Sequence, residues 1–495
     1  MNKKHDTQKY NIRYVLGISL IGALGGFLFG YDWVVIGGAK PFYEPFFQIS
    51  EIPEMQGWVM SSALLGCIVG SLSSGMLSNR FGRKSSLFLA AFLFTTSAIG
   101  TGASGSLTWF VFFRIWGGLG IGLASSVSPI YISEVSPASL RGRLVSINQL
   151  TIVIGILLAQ IINWLIAKPV PAGADTLYLT ESWNGQMGWR WMFWAETVPA
   201  VLFFILLFAV PESPRWLAGK TKTEKALRIL SKIGGQQYGD DRIRDIRESF
   251  LGEKVKLNLS LLFSKSLRPI LLVGVVLAFF QQWCGINVVF NYAEEVFSAA
   301  GYGVSDTLFN IVITGIINLA FTFVAIRTID NWGRRALMIT GSLGLSVVYV
   351  LVGASYYFSF GGISVLIFIL TGIAVYAMTL APVTWVVLSE IFPNRVRATA
   401  MAIASGSLWI ASFLLVILFP ILNNALGTHG TFWLYAGICL LGFLFIFRKL
   451  PETKGKTLEE VEKMIQSNDR PDPGCHQKGM MGIDKRFGNP GFSLK

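Results

Sequence analysis

Residues 133–141 read "SEVSPASLR", and residues 389–397 read "SEIFPNRVR". Each places a glutamate seven positions before an arginine, Glu134 with Arg141 and Glu390 with Arg397, just after the fourth apolar run of its half of the chain. A second pair of stretches keeps nearly the same offset. "NRFGRK" at 79–84 and "DNWGRR" at 330–335 follow the second apolar run of each half, with a glycine at the turn and Arg83 or Arg334 behind it. The separations, 133 to 389 and 79 to 330, are 256 and 251 residues. One motif recurring would be weak; two recurring at almost one spacing predict a duplicated unit.

Composition says what that unit is. Of 495 residues, 53% are hydrophobic and only 14% charged, more apolar than a single water-soluble core requires. Runs of the roughly 20 apolar residues that cross a bilayer recur near 14–38, 57–78, 85–105, 109–132, 144–167, 190–210, 268–292, 307–327, 336–357, 363–389, 398–422 and 431–448. The expected fold is therefore an all-α integral membrane protein, with twelve transmembrane helices in two pseudo-symmetric six-helix bundles and short cytoplasmic helices. The first run is too long and too polar in its middle for a cleaved signal peptide, so it stays as a helix. The expected divisions are a cytoplasmic N-terminus (1–13), a six-helix domain (14–210), a charged amphipathic linker (211–267), a second six-helix domain (268–448) and a tail (449–495). The tail turns polar and Gly/Pro-rich, and disorder is expected after about residue 467.

Lysine and arginine accumulate on the cytoplasmic side of membrane proteins. Loops on one side hold only Lys40, Lys168 and Arg190, while the other side holds both basic motifs, the linker and "NRVR" at 394–397. Both termini are expected in the cytoplasm. The net charge of +13 follows from this asymmetry and from attraction to anionic lipid, so it is no argument for nucleic acid. Three of the four cysteines fall inside apolar runs and the fourth in the tail, which suggests neither a disulfide nor a metal site. No nucleotide-binding "GxxxxGK[ST]" loop is present. The reading is a non-enzymatic, cofactor-free transporter driven by gradients, whose two halves rock about a midplane site.

Polar residues inside the runs point to the cargo. Gln149, Gln281, Gln282, Asn287 and Asn318 are amides, each with two donors and an acceptor, which match hydroxyl groups without introducing charge. That suits a neutral polyol, although amides also serve as plain glue between helices. Left unsatisfied in hydrocarbon they are costly, so they should face the bundle interior. Gln281, Gln282 and Asn287 do not share one face of an ideal helix, which predicts a bend near Gly285. Three ionisable residues lie deep in the first half: Asp32, Arg114 and Glu196. A charge at the bilayer centre costs about 2.5–3.5 kcal/mol even on the lenient scale, so Asp32 and Arg114 are expected to pair. Protonating the carboxylate would release the arginine, which makes the pair a switch; the alternative reading is a static salt bridge that stabilises the first half.

The chain resembles the sugar porters of the major facilitator superfamily, from bacterial xylose–proton symporters to animal facilitative glucose transporters, over roughly residues 14–460. The resemblance rests on "NRFGRK", "RGR" at 141–143, "PESPRWL" (211–217), "QQWCGIN" (281–287), "DNWGRR" and "PETKG" (451–455). It implies sugar contacts at the five amides, packing of the sugar on Trp385 and Trp409, and lining or gating by Phe29, Tyr292 and Tyr376. The repeated charges Arg83, Glu134, Arg141, Arg334, Glu390 and Arg397 read by themselves as paired cytoplasmic latches, the alternative being generic positive-inside residues, which would not place a glutamate partner at matching positions. Three positions depart from the family pattern: Leu408 stands where relatives often carry Gln or Asn, Asn291 replaces the first residue of a tyrosine pair, and Asn79 replaces an aspartate. Proton-coupled members have aspartate in "FGYD", as Asp32 is here, where facilitative ones usually have asparagine. No histidine lies within a run, so Asp32, with Arg114 and with Glu196 as possible helper, is the expected proton-coupling group.

The resulting expectation is a proton-coupled monosaccharide symporter, functional as a monomer, whose partners are a pentose or hexose, protons and the lipid bilayer. External loops without "N-x-[ST]" sites fit a bacterial inner membrane. Alternatives are a uniporter of the same fold, which an acid-pulse test separates, and a transport-inactive sugar sensor, which would carry a long signalling tail. A drug antiporter would want its carboxylate in an aromatic cavity rather than an amide-rich one.

Overall fold

The computed structural model describes residues 10–171, 173–252, 267–392, 396–452 and 454. The expected change to disorder in the tail falls outside the described residues. Those residues form helices: α1 (Ile12–Phe46), α2 (Pro53–Phe81), α3 (Arg83–Ala103), α4 (Leu107–Val135), α5 (Arg141–Ile166), α6 (Thr176–Glu181), α7 (Trp189–Leu206), α8 (Pro214–Gly219), α9 (Thr223–Gly234) and α10 (Gln236–Gly252). The second half contains α11 (Arg268–Trp283), α12 (Ile286–Asn291), α13 (Ala293–Ser298), α14 (Val304–Trp332), α15 (Arg334–Tyr357), α16 (Gly362–Met378), α17 (Leu380–Ile391) and α18 (Arg397–Lys449).

Ten stretches among the described residues are long and apolar enough to cross a membrane. The last of them merges two spans across Gly427, whose φ of 69° and ψ of 165° leave the helical region. Separating these two and adding the 18-residue α7 recovers the twelve expected crossings.

Lipid gives helices no hydrophobic reason to associate, so close backbone approach over small residues holds them together. Between α2 and α4, a Cβ on Gly118 would stand 1.9 Å from the Ala63 carbonyl oxygen and one on Gly66 2.1 Å from that of Ile115. Within the first half α2 packs on α4, α1 on α5, and α3 on α4 and α7. In the second, α15 packs on α18 and α16, and α11 on α18. The halves meet along two seams, α2 against α18 and α5 against α14. Each seam joins the second span of one half to the fifth of the other, as a pseudo-two-fold relation requires.

The motif glutamates of "PESPRWL" and "PETKG" have a structural task that their sequence did not disclose. Glu212 accepts from the backbone N–H of Arg83 (2.9 Å) and Lys84 (3.1 Å) at the start of α3, and Glu452 accepts from Arg334 (3.0 Å) and Arg335 (3.1 Å) at the start of α15. Carboxylates there satisfy donors that a helix start leaves open and complement its dipole. The glycine before each helix makes room: Gly82 has φ 102° and Gly333 φ 88°, and a Cβ on either would strike the capping carboxylate. Amphipathic α9 lays Ala226, Leu230 and Ile233 into a cluster with Leu217, Val15, Ile132 and Leu144, so the linker docks beneath the first half.

One expectation is corrected. The sequence predicts a loop at Lys40, but α1 continues through Phe46, past Pro41, and Lys40 is only 2% exposed within it. The unbroken helix makes Lys40 and Glu44 buried groups facing the second half.

Candidate functional site

Gly285 decides the geometry of the amide cluster. Its φ of 87° is left-handed, a conformation cheap for glycine alone, and it separates α11 from α12 where the expected bend falls. The interruption lets side chains from both segments meet in one chain of hydrogen bonds. Asn291 Nδ2 donates to the Asn287 carbonyl (3.0 Å), Asn287 Nδ2 to Gln282 Oε1, Gln282 Nε2 to Gln281 Oε1 (2.6 Å), and Gln281 Nε2 to the Tyr376 hydroxyl (2.7 Å). All five residues are buried. Tyr376 is thus the end of the amide chain, anchoring it from α16. Asn318 on α14 is buried as well, while Gln149 on α5 is half-buried.

Aromatic residues close this region from both halves. Phe29 on α1 lies 5.8 Å from Trp409 on α18, centroid to centroid. Tyr292 is fully buried, donates to the Val416 carbonyl (2.6 Å) and packs on Phe419 at 4.5 Å. Trp385 on α17 is 37% exposed. Trp33, which the sequence reading did not single out, lies 6.0 Å from Phe29 and 6.1 Å from Trp409. Its signal was an aromatic residue directly after Asp32, hidden among 15 tryptophans.

In the first half Arg114 donates to Asp32 Oδ1, and both are 2% exposed. The Arg114 guanidinium also sits 5.8 Å over the Phe193 ring. Glu196, equally buried on α7, is within electrostatic reach of both. Asp32 Oδ2 and Arg114 Nε have no protein hydrogen-bond partner, so the pair is incompletely satisfied. The three ionisable residues therefore share one buried site. A small cavity lined by Arg114, Trp33, Met60, Asn291 and Val416 lies between that site and the second half.

The basic motifs close contacts within each half in this structure. Arg83 Nε is 2.9 Å from Glu134, which also accepts from the Ser213 hydroxyl, and Arg334 is 3.2 Å from Glu390. Arg141 donates to the Ser133 carbonyl at 3.1 Å. The Arg397 side chain lies outside the described residues.

At the opposite face a charged cluster crosses between halves. Lys40 Nζ lies 3.0 Å from Glu44 on its own helix, 2.5 Å from Glu295 and 3.5 Å from Glu294 on α13. Beside it, the carbonyls of Phe290 and Asn291 approach Gly37 so closely that a Cβ there would stand 3.0 and 3.1 Å from them. Sequence reading missed this cluster because Lys40 and Glu295 are 255 residues apart and carry no shared motif.

Residues 18–465 match the family model described as "Sugar (and other) transporter". The chain belongs to the sugar transporter family. It is 40% identical over 486 residues to the D-xylose-proton symporter of Escherichia coli (strain K12), covering 92% of this chain and 96% of that one. It is also 40% identical over 459 residues to the arabinose-proton symporter of Bacillus subtilis (strain 168), with the same coverage of both. Among solved structures, the inward-open conformation of the xylose transporter from E. coli superposes with a TM-score of 0.80 at 38% identity, covering 91% of this chain and 100% of that one. The twelve-helix fold of this family is thus the fold described above.

Proposed function

We propose that this chain is a proton-coupled monosaccharide symporter that works by alternating access. The observation that carries the reading is the buried Asp32–Arg114 pair, with Glu196 beside it, lying across the seam from a chain of buried amides. Amides bind hydroxyl-rich neutral cargo without fixing a charge. A buried carboxylate that exchanges its proton changes the cost of enclosing the site, because ionised Asp32 answers the Arg114 charge while protonated Asp32 leaves that charge to the neighbouring Glu196.

In this mechanism Asp32 takes a proton from the external side, Arg114 loses its counter-charge, and the loaded site closes. Opening inward lets sugar leave and the proton follow. Gln149, Gln281, Gln282, Asn287 and Asn318 bind the sugar, Trp385 and Trp409 pack on it, and Phe29, Tyr292 and Tyr376 line or gate it. Arg83, Glu134, Arg141, Arg334, Glu390 and Arg397 act as cytoplasmic latches that engage when the protein faces outward. The protein works as a monomer in a bacterial inner membrane with both termini cytoplasmic. It is not an enzyme.

The test is uptake of radiolabelled aldoses by vesicles, with and without a protonophore, beside proton movement after adding sugar to a lightly buffered suspension. Symport requires concentrative uptake that the protonophore abolishes, together with alkalinisation of the medium. Sugar exchange without either would make the protein a uniporter.

A further inference from the structure

We propose that Asn291 is the positioning residue that couples the proton site to the sugar site: when Asp32 is protonated, the Arg114 guanidinium turns to the Asn291 amide oxygen across the cavity both side chains line. The inference rests on the symport reading above. Asn291 is the last residue of α12, the segment set off by the break at Gly285. Its Nδ2 donates to the carbonyl of Asn287 (3.0 Å), whose own amide donates to Gln282, so Asn291 is one end of the amide chain. Arg114 lines the same small cavity from the first half, and among the described residues around that cavity Asn291 alone has a side-chain oxygen.

Arg114 needs such an oxygen once Asp32 is neutral. Its Nη1 and Nη2 are held by Asp32, through the carboxylate and the main-chain carbonyl (3.5 Å), and its Nε has no partner. Glu196 is within electrostatic reach but, among the described residues, accepts no hydrogen bond from Arg114. A hydrogen bond between ionised groups is about twice as strong as a neutral one, so protonation weakens what keeps the guanidinium on α1. An amide oxygen accepts without taking a proton itself. The cavity is too small for a sugar, and the gap across it is closed by side-chain rotation or by one bridging water.

The backbones carry the movement onward. A Cβ on Gly37 would stand 3.0 and 3.1 Å from the carbonyls of Phe290 and Asn291, so α1, which bears Asp32, touches α12, which bears Asn287. A pull on Asn291 therefore shifts the amides, and by reciprocity sugar held on those amides changes the proton affinity of Asp32 by the same factor. The titratable groups around Asp32 and Arg114 are Glu196 on α7, Cys67 on α2, and Tyr31 and Tyr43 on α1.

The test is the number of protons moved per sugar, from alkalinisation of the medium and uptake of labelled xylose or glucose in the same vesicles at saturating sugar, beside equilibrium counterflow. In Asn291→Leu the ratio should fall several-fold while counterflow persists, because sugar then crosses without its proton. Asn291→Gln, which keeps an amide oxygen, should restore much of the ratio. A purely structural role would lower both fluxes together and leave their ratio unmoved. The ratio is internal to each preparation, so partial misfolding cancels from it, and Asn291→Ala serves if the leucine variant fails to insert. An unchanged ratio in the leucine and alanine variants overturns the proposal and leaves the symport reading intact. Loss of counterflow in the glutamine variant as well does the same, making Asn291 part of the sugar site alone. Uptake of neither sugar, or uptake without alkalinisation, by the unsubstituted chain overturns both.

Discussion

Asp32 is buried, its charge answered by Arg114 and its second oxygen unpartnered. Asp32→Asn keeps the hydrogen-bonding shape and removes the titration. Concentrative uptake is expected to vanish while equilibrium counterflow survives, and a variant that still accumulates sugar under a proton gradient would move the coupling to Glu196. Arg114→Ala should be better tolerated with Asp32→Asn than alone, because alone it leaves a buried charge uncompensated; a double-mutant comparison reads that coupling. Gln282 is a different case, since it both donates to Gln281 and accepts from Asn287. Gln282→Ala strands two neighbours, each at ~1–3 kcal/mol, so sugar affinity of the purified variant should fall by roughly tens-fold. Unchanged binding would place it outside the site.

At the scale of elements, the break at Gly285 and the charged zipper at Lys40 both depend on how α11 to α13 meet the rest. Alanine at 285 would adopt a left-handed conformation at a cost of about 1–2 kcal/mol, and its Cβ would lie 2.7 Å from the Tyr435 ring. Gly285→Ala should therefore lower the melting temperature in detergent and weaken sugar binding together. Stability lost with affinity intact would uncouple the bend from the site. In the zipper, Glu295 lies past the last residue of the spanning segment Arg268–Asn291. Burial, opposed by Lys40 and assisted by Glu294, pushes its pKa up to about 7. Lys40, Glu44, Glu294, Tyr43 and Tyr292 are the titratable groups around it. A pKa raised in the closed face means that closure binds the proton more tightly than an open, solvated Glu295 does. Its contribution to closure is complete below the ordinary carboxylate pKa and is lost as pH rises through about 7. Labels across this face should move apart between pH 5 and 8, with a smaller response in Glu295→Gln. An identical response in that variant would assign the effect elsewhere.

For the whole molecule, the two seams are the surfaces on which halves can rock. The face bearing Lys40 is closed by charge and by backbone contact at Gly37. On the opposite face, Arg83–Glu134 and Arg334–Glu390 close within halves. Under the latch proposal these glutamates exchange partners when the protein faces outward, with Arg397 reaching across. Glu134→Ala and Arg397→Ala are expected to lengthen spectroscopic distances between labels at the cytoplasmic ends of α4 and α17. Distances that stay fixed would leave the repeated motif a structural feature of each half.

Repeat, periodicity and charge bias are local or additive properties, so they are written in the chain itself. From them came the two six-helix halves, the pairing of Asp32 with Arg114 and the bend near Gly285. A twenty-residue apolar run must be helical because no other local structure satisfies its backbone in lipid, and a buried carboxylate demands a partner wherever the chain puts one. What the sequence could not disclose were meetings between residues that share no motif and no spacing. Glu212 and Glu452 capping distant helices, Lys40 bridging to Glu295, and Trp33 reaching Trp409 all required the packing of helices from separate parts of the chain. Only tertiary structure decided these contacts, because a helix has many polar and aromatic side chains and its neighbours alone select which ones are buried together.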